Sequence, residues 1–135
     1  MGGESTNLLT EGQAALAFAK AWNRLDPEAF LNLLAEDAHY ASQWVFSELE
    51  SRSAISDYLR SKMNLVRIDG IGDPTARVRA ELGKTSAHRD CVLLAQGGGN
   101  ESAVVVFEVA GNEIRRYDLC IPQLYPFVRS GIYPD

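Results

Sequence analysis

Apolar residues in the first part of the chain recur at intervals of three and four. Ala15, Phe18, Ala19, Trp22 and Leu25 fall on one face if residues 11–25 are helical. Thr10-Glu11-Gly12-Gln13 just ahead matches a capping box, in which hydroxyl and carboxamide satisfy free backbone N–H groups. Asp26-Pro27-Glu28 restarts the chain, with Asp26 as cap, Pro27 suited to the first helical position and Glu28 complementing the dipole. Phe30, Leu33 and Leu34 then form the predicted buried stripe of a short second helix. From Ala38 the period changes to two: Tyr40, Trp44 and Phe46 alternate with His39, Ala41, Gln43 and Val45, which predicts a strand interrupted on its apolar face by Ser42. A third helix carries Ile55, Leu59, Met63 and Val66 on its buried side, with Tyr58 beside them, and the run Asp69-Gly70-Ile71-Gly72-Asp73-Pro74 stops it.

The second half reads as four strands, at 76–82, 89–96, 102–109 and 113–121. Short connections at 97–100 and 110–112 predict antiparallel neighbours and hence a meander. Pro122 ends the last strand, since it offers no ladder N–H. The tail, 123–135, holds Leu124, Tyr125, Phe127, Ile132 and Tyr133 and is too apolar to stand free in water.

Composition narrows the partners more than the chemistry. The 135 residues are 46% hydrophobic and 23% charged, as in an ordinary globular domain. The net charge of −5 supplies no basic footprint for nucleic acid and no polybasic patch for an anionic membrane. Six acids (Glu4, Glu11, Asp26, Glu28, Glu36, Asp37) against two bases (Lys20, Arg24) place most of that excess in residues 1–37. Two cysteines make no disulfide scaffold, and the N-terminal residues lack the basic and apolar regions of a signal peptide. The expectation is a cytoplasmic protein with reduced thiols.

This order of elements predicts an α+β fold: a curved antiparallel sheet, cone-shaped, with three helices from the N-terminal half covering its concave face. Residues 1–9 are expected as a flexible leader and 10–135 as one domain, with 122–135 as its C-terminal tail. Specific residues carry a resemblance. Ala21-Trp22-Asn23-Arg24-Leu25-Asp26-Pro27-Glu28-Ala29-Phe30, then Leu33-Leu34-Ala35-Glu36-Asp37-Ala38, Arg52-Ser53-Ala54-Ile55-Ser56-Asp57-Tyr58-Leu59 and Gly111-Asn112-Glu113-Ile114 resemble the nuclear transport factor two-like superfamily over about residues 11–121. That group includes SnoaL-like proteins and steroid Δ-isomerases. The resemblance implies a pocket between the concave sheet face and the helices, and dimers formed through the outer sheet face.

The same resemblance implies a test of chemistry. The steroid isomerases use a tyrosine on helix 1, a carboxylate base at the end of the first strand and a protonated acid in the meander, which together remove a proton beside a carbonyl. Aligned on Asn23 and Asp26, this sequence holds Phe18, Ser42 and Val105 at those places, none competent for the role. Other members carry a base on the last strand, where Asp118 is the candidate, held by Arg116; alternation instead puts that pair on the outer face. Some family dehydratases use a histidine pair, but His39 alternates with Tyr40 and points away, and His88 sits at a strand start. No further ligand stands at metal spacing, so neither metal nor cofactor is expected. Gly83-Lys84-Thr85 lacks the preceding glycine of a phosphate loop and no helix follows it. Cys91 is expected to face inward and Cys120 outward, as small buried residues. Arg89 is expected at the surface near a strand end rather than on an anionic ligand.

Alternation places Ala103, Val105, Phe107, Tyr117, Leu119 and Ile121 inside, and Val104, Val106, Arg116 and Asp118 outside, on the face expected to form a homodimer. The predicted ligand-binding set is Phe18, Trp22, Tyr40, Ser42, Trp44, Tyr58, Phe107, Tyr117 and Leu119, an aromatic cone with a few hydroxyls suited to a small, largely hydrophobic molecule. Tyr40, Tyr58 and Asp118 are the weak catalytic candidates if isomerase or lyase chemistry occurs there. The competing expectation is a non-catalytic dimerisation or protein-interaction module, in which the tail reaches a second chain instead of closing the pocket.

Overall fold

The structure is a computed structural model that describes residues 8–43, 47–73, 77–97 and 101–135. Trp44, Val45 and Phe46 of the expected strand, turn residues 98–100, residues 74–76 and residues 1–7 of the expected leader lie outside that range. Helices α1 (Glu11–Arg24), α2 (Glu28–Leu31) and α3 (Arg52–Gly72) accompany strands β1 (Leu34–Ser42), β2 (Val78–Thr85), β3 (Asp90–Gln96), β4 (Glu101–Ala110), β5 (Glu113–Cys120) and β6 (Phe127–Arg129). The sheet runs β1-β5-β4-β3-β2-β6. Its centre is the expected antiparallel meander. Strand β1, however, joins β5 in parallel, so the sheet is mixed. Register shifts at Leu94/Ala95 and Glu108/Val109 bend the strands and help make the sheet concave.

Helix α1 begins as its capping box predicts: Gln13 N donates to Thr10 Oγ1 at 3.1 Å, and Thr10 N donates to Gln13 Oε1 at 2.9 Å. It ends in Leu25 at φ 55°, whose N–H bonds the Ala21 and Trp22 carbonyls. Glycine is the usual residue for that left-handed cap; here the leucine side chain packs against the core. Asn23 ties the helix to the sheet, accepting from Ala80 N at 2.8 Å and donating to Ala80 O at 2.9 Å. Helix α3 is capped by Ser51, which accepts from Ala54 N, and buries Ile55, Leu59, Met63 and Val66.

Three boundaries differ from expectation. Helix α3 runs on through Gly72, well into the Asp69–Pro74 run that was expected to stop it, and is capped only at Asp73. The second helix lasts only four residues, and Leu34 belongs to β1 rather than to that helix. Ile114 N donates to Leu33 O at 2.7 Å, and Leu34 pairs with Ile114, so the parallel ladder captures the chain before a second helical turn forms. Strand β2 runs to Thr85, because Gly83, Lys84 and Thr85 lie between β3 and β6 or at its end.

The inner face carries Val92, Leu94, Ala103, Val105, Phe107 and Tyr117 in one core with α1, α2 and α3. Leu119 packs partly against it, whereas Ile121 lies beyond the end of β5. The outer face carries a second cluster: Cys91, Leu93, Val104, Val106 and Cys120, packed by Tyr125 and Phe127. Cys91 therefore faces outward, not inward, because the strand register puts it with Leu93. Cys91 and Cys120 sit on strands flanking β4, too far apart to bridge. Val104 and Val106, expected to meet a partner subunit, are buried by the chain's own tail.

That tail turns at Pro122–Leu124 and adds β6 to the edge of β2. Gly83 leaves the space: a Cβ there would come within 2.9 Å of Val128 O. Buried Glu81 anchors the rest, accepting from Arg129 Nε at 3.0 Å, Gly131 N at 2.6 Å and Tyr133 Oη at 3.1 Å. Asn23 also donates to Pro134 O at 2.6 Å, so the tail is held across β2 to α1. Among the described residues no helix is long and apolar enough to cross a membrane.

Candidate functional site

Close-packing of the core leaves a cavity of about 280 Å³ on the inner side of the sheet. Helix α1 contributes Phe18 and Trp22, β1 contributes Tyr40 and Ser42, and α3 contributes Tyr58, Leu59 and Lys62. The sheet closes it with Val78, Leu94, Gln96, Ser102, Ala103, Tyr117 and Leu119. Seven of the nine predicted ligand-binding residues thus meet at one cavity: Phe18, Trp22, Tyr40, Ser42, Tyr58, Tyr117 and Leu119. Phe107 is not on its wall; it lies behind Phe18, with ring centroids 5.5 Å apart. Trp44 lies outside the described residues.

The rings form a continuous chain. Tyr58 meets Tyr40 at 5.6 Å, Tyr40 stacks on Tyr117 at 4.4 Å and 24°, and Phe18 meets Tyr117 at 5.4 Å. Phe30 backs the group, edge-on to Tyr117 at 5.3 Å and to Phe18 at 4.9 Å. Such pairs add roughly 0.5–1.5 kcal/mol each beyond their buried area, so the wall is stiff. The residues that sequence reasoning missed are Leu59, Lys62, Val78, Leu94, Gln96, Ser102 and Ala103. For Leu94 and Ala103 the signal was present, since alternation already placed Ala103 inside.

Polar groups in this wall are few. Burial raises the Tyr40 phenol above its ordinary value; the neighbouring Tyr58 adds to the shift and a hydrogen bond with Ser42 opposes it. Burial likewise raises the phenol of Tyr117 well above its ordinary value, with Tyr40 and Tyr58 contributing. Both phenols therefore stay protonated at neutral pH. Among the described residues the Tyr117 hydroxyl and the Trp22 Nε1 are fully buried and have no hydrogen-bond partner. Lys62 extends its ammonium over the Tyr58 ring, 5.7 Å from the centroid. Among the described residues that line the cavity there is no aspartate, glutamate or histidine. The described wall can shelter an apolar body and donate hydrogen bonds, and it presents no carboxylate or imidazole as a proton acceptor.

The remaining candidates lie elsewhere. Asp118 is on the outer face, receiving Arg116 Nη2 at 2.7 Å and Nε at 3.1 Å. His39 shares that face, with its Nδ1 2.5 Å from Glu48 Oε2. His88 lies at the β2–β3 turn at φ 62°, three strands away from β1, so the histidines form no pair. Arg89 is half-buried; it donates to Phe107 O at 2.7 Å and pairs with Glu11 at 3.4 Å. Among the described residues no cluster of three or more metal-ligating side chains occurs.

No family model matches the sequence, and no curated protein does. Solved structures do match. A SnoaL-like protein of unknown function from Burkholderia thailandensis has a TM-score of 0.58 at 16% identity, covering 84% of this chain and 98% of that one. An NTF2-like protein of unknown function from Cytophaga hutchinsonii scores 0.57 at 13% identity, covering 86% and 94%. The chain has the NTF2-like fold. A further structure with this fold is an LEH-like epoxide hydrolase from M. tuberculosis, at a TM-score of 0.54 and 17% identity, covering 82% of this chain and 81% of that one. At such identities the likeness extends to the NTF2-like architecture, and the chemistry of the cavity must be argued from this chain's own side chains.

Proposed function

We propose that the protein binds a small, largely apolar molecule in the cavity between α1, α3 and the inner sheet face. The observation that carries this reading is the cavity itself: about 280 Å³ stays open within a wall of four aromatic rings from α1, β1 and β5 and a fifth from α3. An apolar cavity of about 150 Å³ takes up benzene, so this one suits a body of one or two rings. The reading is of binding rather than isomerase or lyase catalysis, since burial holds the Tyr40 and Tyr117 phenols protonated and carboxylates are absent among the described lining residues. Trp22 reports directly on occupancy. One- and two-ring compounds are expected to change tryptophan fluorescence saturably and to raise Tm, and Ala103→Leu, which fills the cavity, abolishes both responses. A panel that leaves fluorescence and Tm unmoved overturns the reading.

A second reading, as an interaction module, is favoured by the exposed Leu124, Val128 and Ile132 of the tail. With Val104 and Val106 already covered, a homodimer through the outer face would use these tail residues beside Arg116 and Asp118. Sedimentation at micromolar concentration tests it: a dimer that Leu124→Glu dissociates supports the reading, and a monomer refutes it.

A further inference from the structure

The cavity wall is graded from apolar to wet. Phe18, Trp22, Leu94, Ala103 and Tyr117 are buried, whereas Lys62, Gln96 and Ser102 are exposed, so the cavity meets solvent on their side. Lys62 is the one charged side chain among the described residues of the wall. Its ammonium stands over the Tyr58 ring, 5.7 Å from the centroid, because residues four apart on α3 share a face. The other positions three or four residues away on α3 hold Leu59, Leu65 and Val66, so the helix supplies no acid to Lys62. Across the opening, Gln96 and Ser102 are neutral. Lys62 makes no ion pair among the described residues. An aromatic wall alone attracts a cation, but here the protein's own cation already covers the Tyr58 face and repels a second one.

We infer that the cavity takes a monocarboxylate, with a body of one or two rings inside the aromatic wall and the carboxylate at the mouth beside the Lys62 ammonium. The inference rests on the binding reading above and deepens it. A carboxylate at the mouth keeps its hydration, so the cost of burying a charge does not arise, while the apolar body leaves water. One cation matches one negative charge; a doubly charged head would set its second charge against a chain whose own net charge is −5.

Three ligands of similar shape test it: indane-2-carboxylate, the neutral indane-2-carboxamide and the cationic 2-(aminomethyl)indane. Each is titrated calorimetrically, at low and high salt, into the wild type, Lys62→Gln and Lys62→Glu. Lys62 is exposed, so neither substitution disturbs the core. At low ionic strength the carboxylate is expected to bind the wild type about threefold to fivefold more tightly than the amide, as one partly exposed ion pair allows, and the amine more weakly than the amide. That carboxylate-to-amide ratio should fall to about one in Lys62→Gln, invert in Lys62→Glu, and shrink in the wild type as salt screens the pair. An amide that binds as tightly as the carboxylate overturns the inference and leaves apolar binding standing. So does a preference for the amine, since the ring faces then select a cation. A carboxylate preference undiminished in both variants puts the anion away from Lys62, and the inference fails. No binding by any of the three overturns the binding reading as well.

Discussion

Tyr117→Phe should make the unliganded protein more stable, against the usual direction of a core substitution. Tyr117 is 1% exposed, and its hydroxyl has no hydrogen-bond partner among the described residues. An unsatisfied buried group carries a penalty of about 1–3 kcal/mol, and removing the group removes the penalty. One atom of volume is lost, so the cavity cost is small beside it. The net expectation is a gain of about 1 kcal/mol, or about 4 °C in Tm for a chain of this size. Tyr40→Phe supplies the control. Its ring stacks on that of Tyr117 at 4.4 Å and is similarly buried, but its hydroxyl is hydrogen-bonded to Ser42 and Tyr58. That substitution should therefore lose about 1 kcal/mol. Urea unfolding of the three proteins, with constant m, measures both changes as shifts of midpoint. If Tyr117→Phe lowers the midpoint, or if both variants move together, the hydroxyl is satisfied in solution and the reasoning fails.

The same burial has a pH consequence. The folded state keeps the Tyr117 and Tyr40 phenols protonated beyond their ordinary range, whereas the unfolded chain loses those protons near pH 10. Stability is thus unaffected below about pH 10 and falls above it, and urea midpoints across that range should fall less steeply in Tyr117→Phe. Burial also pushes the Cys91 thiol up to about 11 and raises that of Cys120. Neither thiol should react with a disulfide reagent at about pH 8 until the protein is unfolded, when both react; rapid reaction of the native protein would contradict their place beneath the tail. Glu81→Ala leaves Arg129, Gly131 and Tyr133 without their shared acceptor. It should cost about 3 kcal/mol in urea unfolding and expose the tail to trypsin at Arg129, and unchanged protection would show that the strand pairing of β6 suffices.

Helix α1 was legible because every local signal agrees on it: the Thr10–Gln13 box, the buried stripe of Ala15, Phe18, Ala19 and Trp22, and the Asp26-Pro27 break. Helix α3 was legible in its buried stripe of Ile55, Leu59, Met63 and Val66, but not in its end, since it runs through Gly70 and Gly72 of the expected stop. The start of β1 was not. Leu33 and Leu34 serve equally as the last turn of an apolar helix or as the first residues of a buried strand. What decides between them is pairing with Ile114, about 80 residues away, which no local pattern reports. The inner faces of β4 and β5, and with them part of the cavity wall, were legible because alternation puts Ala103, Val105, Phe107 and Tyr117 inside, although it misplaced Cys91 on β3. The polar rim of the cavity was not, since Lys62, Gln96 and Ser102 occupy positions indistinguishable from an ordinary surface.

The outer face shows where a signal was present but admitted two answers. Strand β4 runs Ala103-Val104-Val105-Val106-Phe107 with no polar alternation, and such a run means that both faces are buried. The pattern cannot say by what, and a second subunit was the expected cover. The tail is the actual cover, and two residues of β2 record the fact. Glu81, on the outward side, accepts three hydrogen bonds from tail residues 129–133, and Gly83 lacks the side chain that would collide with Val128. With Val104 and Val106 covered by the chain itself and Asp118 fixed by Arg116, the buried side-chain polar atoms that lack a partner among the described residues lie on the inner side, on Trp22 and Tyr117. The open space between α1, α3 and the sheet lies on that same inner side, which is what the binding reading rests on.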